Sequence, residues 1–142
     1  MAVIAYDNIT KIGGIAHVML PGSSPKNHKE KSRYAENAII TLLRKLKSLG
    51  ADKKTIKFYL IGGANVLRKK DDNIAKNLAH SIFEIVIQNN LIVNKTHLGG
   101  YERRTASLNL ARGKITYSIG NSKEQEFYVE KMRRYKGENR YK

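Results

Sequence analysis

Residues 13–21 read GGIAHVMLP, a glycine pair followed by an apolar run that carries a single histidine, His17. The β-branched and aliphatic residues of this run predict a strand from Ile12 to Leu20. Ala2–Tyr6 is also short and apolar, and Asp7 begins a polar turn between the two runs. The chain is therefore predicted to begin with a β-hairpin whose second strand contains His17.

The remainder of the chain alternates between helical and strand-like patterns. Apolar residues three and four positions apart predict one helix from Tyr34 to Leu49 and a second helix that ends near Gln88. The predicted order is strand, strand, helix, strand, helix, strand, strand, strand. Two helices on one face of a mixed sheet correspond to an α+β or layered α/β domain.

The length and composition indicate one globular domain. The chain has 142 residues, of which 41% are hydrophobic, and this is enough for a single core. We expect residues 1–120 to form the domain and the basic residues 121–142 to form a helix or tail outside the core. No apolar run approaches the roughly 20 residues needed to span a bilayer, so we expect a cytoplasmic protein without membrane insertion.

The net charge of +15 is unusual for a small enzyme. It suggests an anionic partner, such as nucleic acid, a membrane surface or an acidic protein, although a lysine-rich solvated surface would give the same charge. No zinc-finger, RNA-binding or helix-turn-helix motif accompanies it, so we do not expect nucleic acid to be the partner. The main basic clusters are Lys26–Arg33, Arg44–Lys47, Arg68–Lys70 and Arg133–Arg134.

Three glycine-rich segments lie next to predicted strands and mark a candidate site near His17. Glycine permits a close approach of backbone to a ligand, and it also permits positive φ. Each segment alone would be an ordinary turn, whereas three of them with a histidine nearby favour a site. The segments are Gly13-Gly14, Gly62-Gly63-Ala64-Asn65 and Gly99-Gly100.

Four segments follow one another in this order: GGIAHVMLP, RYAENAI, FYLIGGANVL and a Gly-Gly turn before a terminal hairpin. In these segments the sequence resembles that of the chemoreceptor glutamine deamidases, the CheD family. The resemblance extends from about Ala2 to Ile119. It implies a three-layer α/β/β sandwich similar to the catalytic domains of cytotoxic necrotizing factors. It also implies a chemotaxis enzyme that hydrolyses glutamine side-chain amides on methyl-accepting chemotaxis receptors, partners a CheC-type phosphatase, and needs no metal or organic cofactor.

The family's chemistry uses a cysteine nucleophile and a histidine that acts as general base and then acid. The histidine of that mechanism matches His17. By analogy, the two later glycine turns are expected to bind substrate. These residues are Gly62, Gly63, Ala64, Asn65, Gly99 and Gly100.

The chain contains no cysteine. In the family, the cysteine follows a Gly-Ser pair before a strand that ends in Tyr-Asp, and Tyr6-Asp7 matches that strand end. This register places the cysteine directly before Met1, as if the chain were truncated just after it. The chain as given is therefore expected to be poorly active or inactive. A missing upstream strand would leave Ala2–Tyr6 as a sheet edge, which predicts dimerisation or poor solubility.

Two alternatives remain open at this stage. A relative without the nucleophile would act as a chemotaxis adaptor that binds receptors or a CheC-type phosphatase, and a basic nucleic-acid-binding domain is the second alternative. The family usually has a further glycine before a basic pair, and this glycine is absent before Arg103 and Arg104. Both arginines are therefore interpreted as surface charges. His97 is either a site residue or a hydrogen-bonded strand histidine.

Overall fold

The computed structural model describes residues 1–71 and 73–131, which form two β-sheets and two main helices. Residues 132–142 of the expected C-terminal tail lie outside the described residues. The elements are β1 (Ala2–Asp7), β2 (Ile12–His17), a 3-10 turn (Lys31–Arg33), α1 (Ala35–Ser48), β3 (Ile56–Gly62), α2 (Ile74–Gln88), β4 (Ile92–Leu98), β5 (Arg104–Asn109), β6 (Lys114–Ile119) and β7 (Gln125–Val129).

The larger sheet has the strand order β2-β1-β3-β4, and the smaller sheet has the order β5-β6-β7. β1 runs antiparallel to both β2 and β3, whereas β3 and β4 are parallel. α2 makes the crossover that a parallel pair requires. The predicted mixed sheet, the N-terminal hairpin and the α+β class are confirmed.

The larger sheet is covered on both faces, which explains why β3 reads as an unbroken apolar run. Alternate residues of β1 and β3 point to opposite sides. On one side they pack against α1 and α2, and the residues are Val3, Ala5, Phe58 and Leu60. On the other side they pack against the smaller sheet, and the residues are Ile4, Tyr6, Tyr59 and Ile61. The helices thus lie on one face of the mixed sheet, as predicted.

Gly13 and Gly14 lie inside β2, where the lack of a side chain permits close packing. A Cβ on Gly14 would lie 2.9 Å from Leu42 Cδ1 of α1, and a Cβ on Gly13 would lie 2.9 Å from Tyr6 Cδ2. These glycines let α1 and the neighbouring strand approach closely. Neither glycine lies in a turn that lines a ligand site.

β1 is an interior strand, so the predicted exposed edge at Ala2–Tyr6 is wrong. Each residue from Ala2 to Asp7 is paired with β2 on one side and with β3 on the other. After α1 the chain returns as β3, and β3 itself occupies the side of β1 that the sequence left without a partner. The argument for dimerisation through this strand therefore fails.

The expectation that residues 121–142 lie outside the core is wrong for residues 125–129, which form β7 of the smaller sheet. Its pairing with β6 includes Ile115 opposite Tyr128. Phe127 is 5% exposed and packs between the sheets, 5.7 Å from the Tyr117 ring centre. The folded unit therefore extends to Val129. Neither of the two α-helices among the described residues is long and apolar enough to span a membrane.

A substitution in β7 tests this correction. Phe127→Ala should lower the free energy of unfolding by about 3 kcal/mol, because it removes a buried aromatic ring and leaves a cavity. Chemical denaturation measures this loss. Val129→Ala on the same strand is the control, since Val129 is 40% exposed and should cost under about 1 kcal/mol. Equal, small losses from both would place Phe127 outside the core.

Candidate active site

His17 is the last residue of β2 and lies beside the start of β1, paired with Ala2. The next pair fixes this end of the sheet, because the Met1 ammonium donates to the Val18 carbonyl at 2.8 Å and the Val18 N–H donates to the Met1 carbonyl at 2.8 Å. The His17 side chain is exposed. It faces a cavity near the point where the polypeptide enters β1.

The surroundings of His17 favour its neutral form. Partial burial of its ring lowers the pKa of the imidazole below its usual range, and in this chain the positive charge of the Met1 ammonium lowers it further, an effect that is lost when another residue precedes Met1. A neutral imidazole at neutral pH is able to accept a proton. The protonation state required of a general base is therefore the favoured state of His17.

The cavity next to His17 has a volume of about 430 Å³. Its floor is formed by the ends of β1 and β3, and one wall is formed by the smaller sheet. The residues that line it are Met1, Ala2, Ile15, His17, Ile61, Gly62, Gly63, Ala64, Val66, Arg103, Arg104, Thr105 and Ala106. We call this the His17 cavity. The structure thus brings His17 together with three of the predicted substrate-binding residues, Gly62, Gly63 and Ala64.

The turn after β3 has a backbone that requires glycine. Gly62 has φ +124° and Gly63 has φ +71°, both in the region that residues with a Cβ avoid. A Cβ on Gly63 would lie 2.9 Å from Met1 Cε. The Gly62 carbonyl accepts from the Gly99 N–H at 3.0 Å and from Arg104 Nη1 at 3.3 Å. The turn is therefore fixed against both the chain start and the next strand.

Asn65, Gly99 and Gly100 do not line the His17 cavity. They line a neighbouring cavity of about 530 Å³ that shares Gly63 with it. The Asn65 N–H donates to the Gly100 carbonyl at 2.8 Å, so the two glycine turns are joined through their backbones. The predicted substrate-binding set is thereby divided between two adjoining cavities.

Arg104 is the site residue that the sequence analysis missed. Both arginines line the His17 cavity, but Arg104 is half-buried and bonds the Gly62 carbonyl, whereas Arg103 is exposed and bonds Asn121. The sequence does contain a pattern that indicates the inward position of Arg104. Alternate residues of β5 point to the same face, so Arg104 shares the inward face of Ala106 and Leu108. Its interpretation as a surface charge is wrong.

His97 lies on β4 between the two sheets, stacked on Tyr117 with 4.5 Å between ring centres. Burial lowers its pKa, and the nearby Arg104 guanidinium lowers it further. Its buried Nδ1 has no hydrogen-bond partner among the described residues. His97 does not line the His17 cavity, so it is part of the packing behind Arg104.

The site offers proton transfer and hydrogen bonding. His17 supplies a neutral imidazole, the Gly62-Gly63-Ala64 turn supplies backbone groups, and Arg104 supplies a fixed positive charge. Within the described ranges, no three histidine or acidic side chains come together as a metal-binding group. The arrangement suits a reaction in which a proton moves and negative charge develops on an oxygen.

Comparisons with known proteins identify the family of this chain. A family model described as CheD chemotactic sensory transduction matches residues 19–118. A relative from Chlorobium luteolum, named probable chemoreceptor glutamine deamidase CheD, is 40% identical over 129 residues, which is 90% of this chain and 64% of that protein. A relative of the same name from Methanococcus maripaludis is 37% identical and covers 85% of this chain and 80% of its own length.

A chemoreceptor glutamine deamidase CheD from Thermotoga maritima is 29% identical over 127 residues, which is 89% of this chain and 80% of that protein. This chain thus spans a little under two thirds of the Chlorobium protein and four fifths of the other two. The family model covers both helices, the strands β3, β4 and β5, nearly all of β6 and the two later glycine turns, whereas β1, β2, His17 and β7 lie outside it. The chain therefore belongs to the CheD family.

Proposed function

We propose that the protein to which this chain belongs is a chemoreceptor glutamine deamidase, with His17 as its general base and acid. The observation that carries the proposal is the position of His17, whose neutral imidazole lines a cavity between the start of β1 and the Gly62-Gly63 turn. The names of the family relatives supply the substrate class, which is a glutamine of a chemoreceptor.

The nucleophile is proposed to be a cysteine directly before Met1. Hydrogen-bonded pairs alternate along an antiparallel ladder, and Met1 is bonded to Val18, the residue directly after β2. The backbone groups of the preceding residue would therefore point towards the end of β3, where Ala2 pairs with Ile61 and the Gly62-Gly63 turn begins. A thiol at that position lies between the His17 strand and the glycine turn. This supports a Cys-His pair at the cavity.

The first half of the proposed reaction forms a thioester. His17 accepts the thiol proton, and the thiolate attacks the side-chain carbonyl carbon of glutamine. The carbonyl electron pair moves onto oxygen, where the backbone N–H groups of the Gly62-Gly63-Ala64 turn and the charge of Arg104 stabilise the oxyanion. The tetrahedral intermediate collapses, the C–N bond breaks, and His17 returns its proton to the leaving ammonia.

The second half hydrolyses the thioester. Neutral His17 accepts a proton from water, and the resulting hydroxide adds to the thioester carbon. Collapse of this intermediate breaks the C–S bond and gives a glutamate carboxyl group, while His17 returns the proton to the thiolate. The net change is one amide and one water converted to one carboxylate and ammonium, with the enzyme regenerated.

The family resemblance extends the proposal to partners and setting. We propose methyl-accepting chemotaxis receptors as substrates, a CheC-type phosphatase as a second partner, and the cytoplasm as the compartment. The surface charge supports an acidic protein partner, since a net charge of +15 attracts an anionic surface over several ångströms. A similarity to the catalytic domains of cytotoxic necrotizing factors remains a prediction, and a structural superposition tests it.

The experiment compares two proteins. One is the present chain, and the other is the same chain extended by a strand and Gly-Ser-Cys before Met1. Each is incubated with a chemoreceptor cytoplasmic domain, and mass spectrometry follows the conversion of glutamine to glutamate. We expect conversion by the extended protein and none by the chain without a thiol.

No conversion by the extended protein, under conditions where an active family member converts the same receptor, would contradict the proposal. We propose an adaptor function as the second candidate, since binding a receptor or a CheC-type phosphatase needs no thiol. A pull-down with the receptor domain and with a CheC-type phosphatase then tests whether the chain binds either partner. Recovery of neither partner would contradict the adaptor function as well.

A further inference from the structure

We propose that the cavity beside the His17 cavity binds the carboxylates of glutamate side chains on the same substrate segment. We call this cavity the basic cavity. The identity of the substrate segment rests on the proposed function. Its volume is about 530 Å³. The residues that line it are Gly63, Asn65, Arg68, Lys69, Lys70, Ala75, Lys76, Gly99, Gly100 and Tyr101.

The lining of the basic cavity carries only positive formal charge among the described residues. Arg68, Lys69 and Lys70 come from the loop after β3, and Lys76 comes from the first turn of α2. All four are exposed, and none of them forms an ion pair with a described residue. Asp71 follows Lys70 in the sequence but lies outside the lining. Four cations in one concave site favour an anionic ligand.

The loop that carries these charges is held in a defined shape. Asn65 Nδ2 donates to the Lys69 carbonyl at 2.8 Å, and the Lys69 N–H donates to Asn65 Oδ1 at 3.1 Å. Arg68 has φ +51°, which is unusual for a residue with a side chain, and its guanidinium lies 4.8 Å from the Tyr101 ring centre. These contacts fix the backbone of the loop and the position of the Arg68 guanidinium. A site built in advance loses less entropy when its ligand binds.

The basic cavity adjoins the place where we put the reaction. Gly63 lines both cavities, and the Asn65–Gly100 backbone bond joins the turns that separate them. A polypeptide that crosses Gly63 thus places one side chain at His17 and a neighbouring side chain among the cations. The geometry favours a peptide segment with an acidic residue near its target glutamine. A free anion would use only one of the two cavities.

The reaction itself generates the group that this cavity prefers. Each turnover converts a neutral carboxamide to a carboxylate, so a segment with several target glutamines becomes more acidic as the reaction proceeds. A glutamate produced at one site would then occupy the basic cavity while the next glutamine lies at His17. We therefore infer that conversion of one glutamine favours conversion of its neighbour.

The test uses the extended protein and two peptides with one target glutamine each. In one peptide the flanking residues are glutamates, and in the other they are glutamines. Lys69→Glu/Lys70→Glu should lower kcat/KM about tenfold for the glutamate peptide through KM, and leave the glutamine peptide nearly unchanged. Arg44→Glu/Lys47→Glu on the outer face of α1 is the matched control, because it changes net charge equally but lies on an element that contributes nothing to the basic cavity.

Equal losses with both peptides, or an equal loss in the α1 control, would overturn the proposal in favour of general charge steering. Single-stranded RNA that binds the unchanged protein more tightly than the glutamate peptide, and loses binding in Lys69→Glu/Lys70→Glu, would overturn it in favour of nucleic acid. Failure to deamidate either peptide would count against the proposed function alone. Fluorescence anisotropy of the labelled peptides then tests the cavity, and equal affinity for both would reject it.

Discussion

His17→Ala, in the chain extended by Gly-Ser-Cys, is expected to lower the rate of glutamine deamidation by at least about 100-fold. General acid–base catalysis by a positioned side chain contributes roughly 10²–10⁴-fold. His17 would act twice, first on the thiol proton and then on the leaving ammonia, and it is the histidine that lines the cavity. Single-turnover mass spectrometry of a receptor peptide measures the loss.

The control for this substitution is His80→Ala. His80 is an exposed residue of α2 that pairs with Glu84 at 3.2 Å, remote from the cavity lining. It should leave the rate within a factor of about two, since surface substitutions remote from the site change little. A His17→Ala protein that remains folded and deamidates as fast as the His80→Ala protein would remove His17 from the mechanism.

Asp7→Ala is expected to lower the free energy of unfolding by about 3 kcal/mol. Asp7 is fully buried at the end of β1, and its carboxylate accepts from the Ile9 N–H at 3.0 Å, the Thr10 hydroxyl at 2.9 Å and the Asp52 N–H at 3.2 Å. These bonds tie the β1–β2 turn to the segment before β3. Alanine would remove all three bonds to a buried carboxylate and leave their partly buried donors without this acceptor. Hydrogen bonds to charged groups contribute roughly 1.5–3 kcal/mol each when well buried and less here, where the donors are partly solvated.

Chemical denaturation at neutral pH measures this loss. Asp52→Ala is the matched control, because Asp52 is exposed and its side chain accepts a hydrogen bond from the nearby Lys54 N–H. It should cost under about 1 kcal/mol. Similar losses from the two substitutions would show that burial and the bonds at Asp7 do not decide the stability of this turn.

The same carboxylate gives a pH dependence with a definite sign. Burial alone would raise the pKa of Asp7, but the hydrogen bonds from Ile9, Asp52 and the threonines outweigh burial and hold it below 3.8. A lowered folded-state pKa contributes stability that is present above 3.8 and is lost as the pH falls through the folded value. The difference in unfolding free energy between the unchanged chain and Asp7→Ala should therefore shrink below pH 3.8.

The helices and most strands are predictable because their signals are local. The spacing of apolar residues from Ala35 to Leu46 sets α1, and the continuous apolar run at Ile56–Ile61 sets a strand covered on both faces. β7 is not predictable in this way, since Gln125–Val129 has one fully buried side chain, Phe127. Its stability comes from pairing with β6 and from rings that are distant in sequence, such as Tyr59.

The candidate site is predictable only in part. The sequence motifs indicate that His17 and the Gly62-Gly63 turn belong to one site, and in the structure both line one cavity. The separation of Asn65, Gly99 and Gly100 into a second cavity depends on how the two turns bond to each other, which no local pattern specifies. Arg104 was missed because an arginine on an inward strand face resembles a surface charge unless the alternation is continued to it.

The most direct test of the account is the rate at which a cysteine placed directly before Met1 is alkylated, measured against pH with and without His17. A free thiol has a pKa of about 8.5, and a histidine lowers it when it takes the thiol proton and the resulting imidazolium pairs with the thiolate. In the extended protein we expect alkylation to begin well below that pH, and to shift up towards it in His17→Gln. The same pH profile in both proteins would contradict the central claim that His17 and the residue before Met1 form one reaction centre.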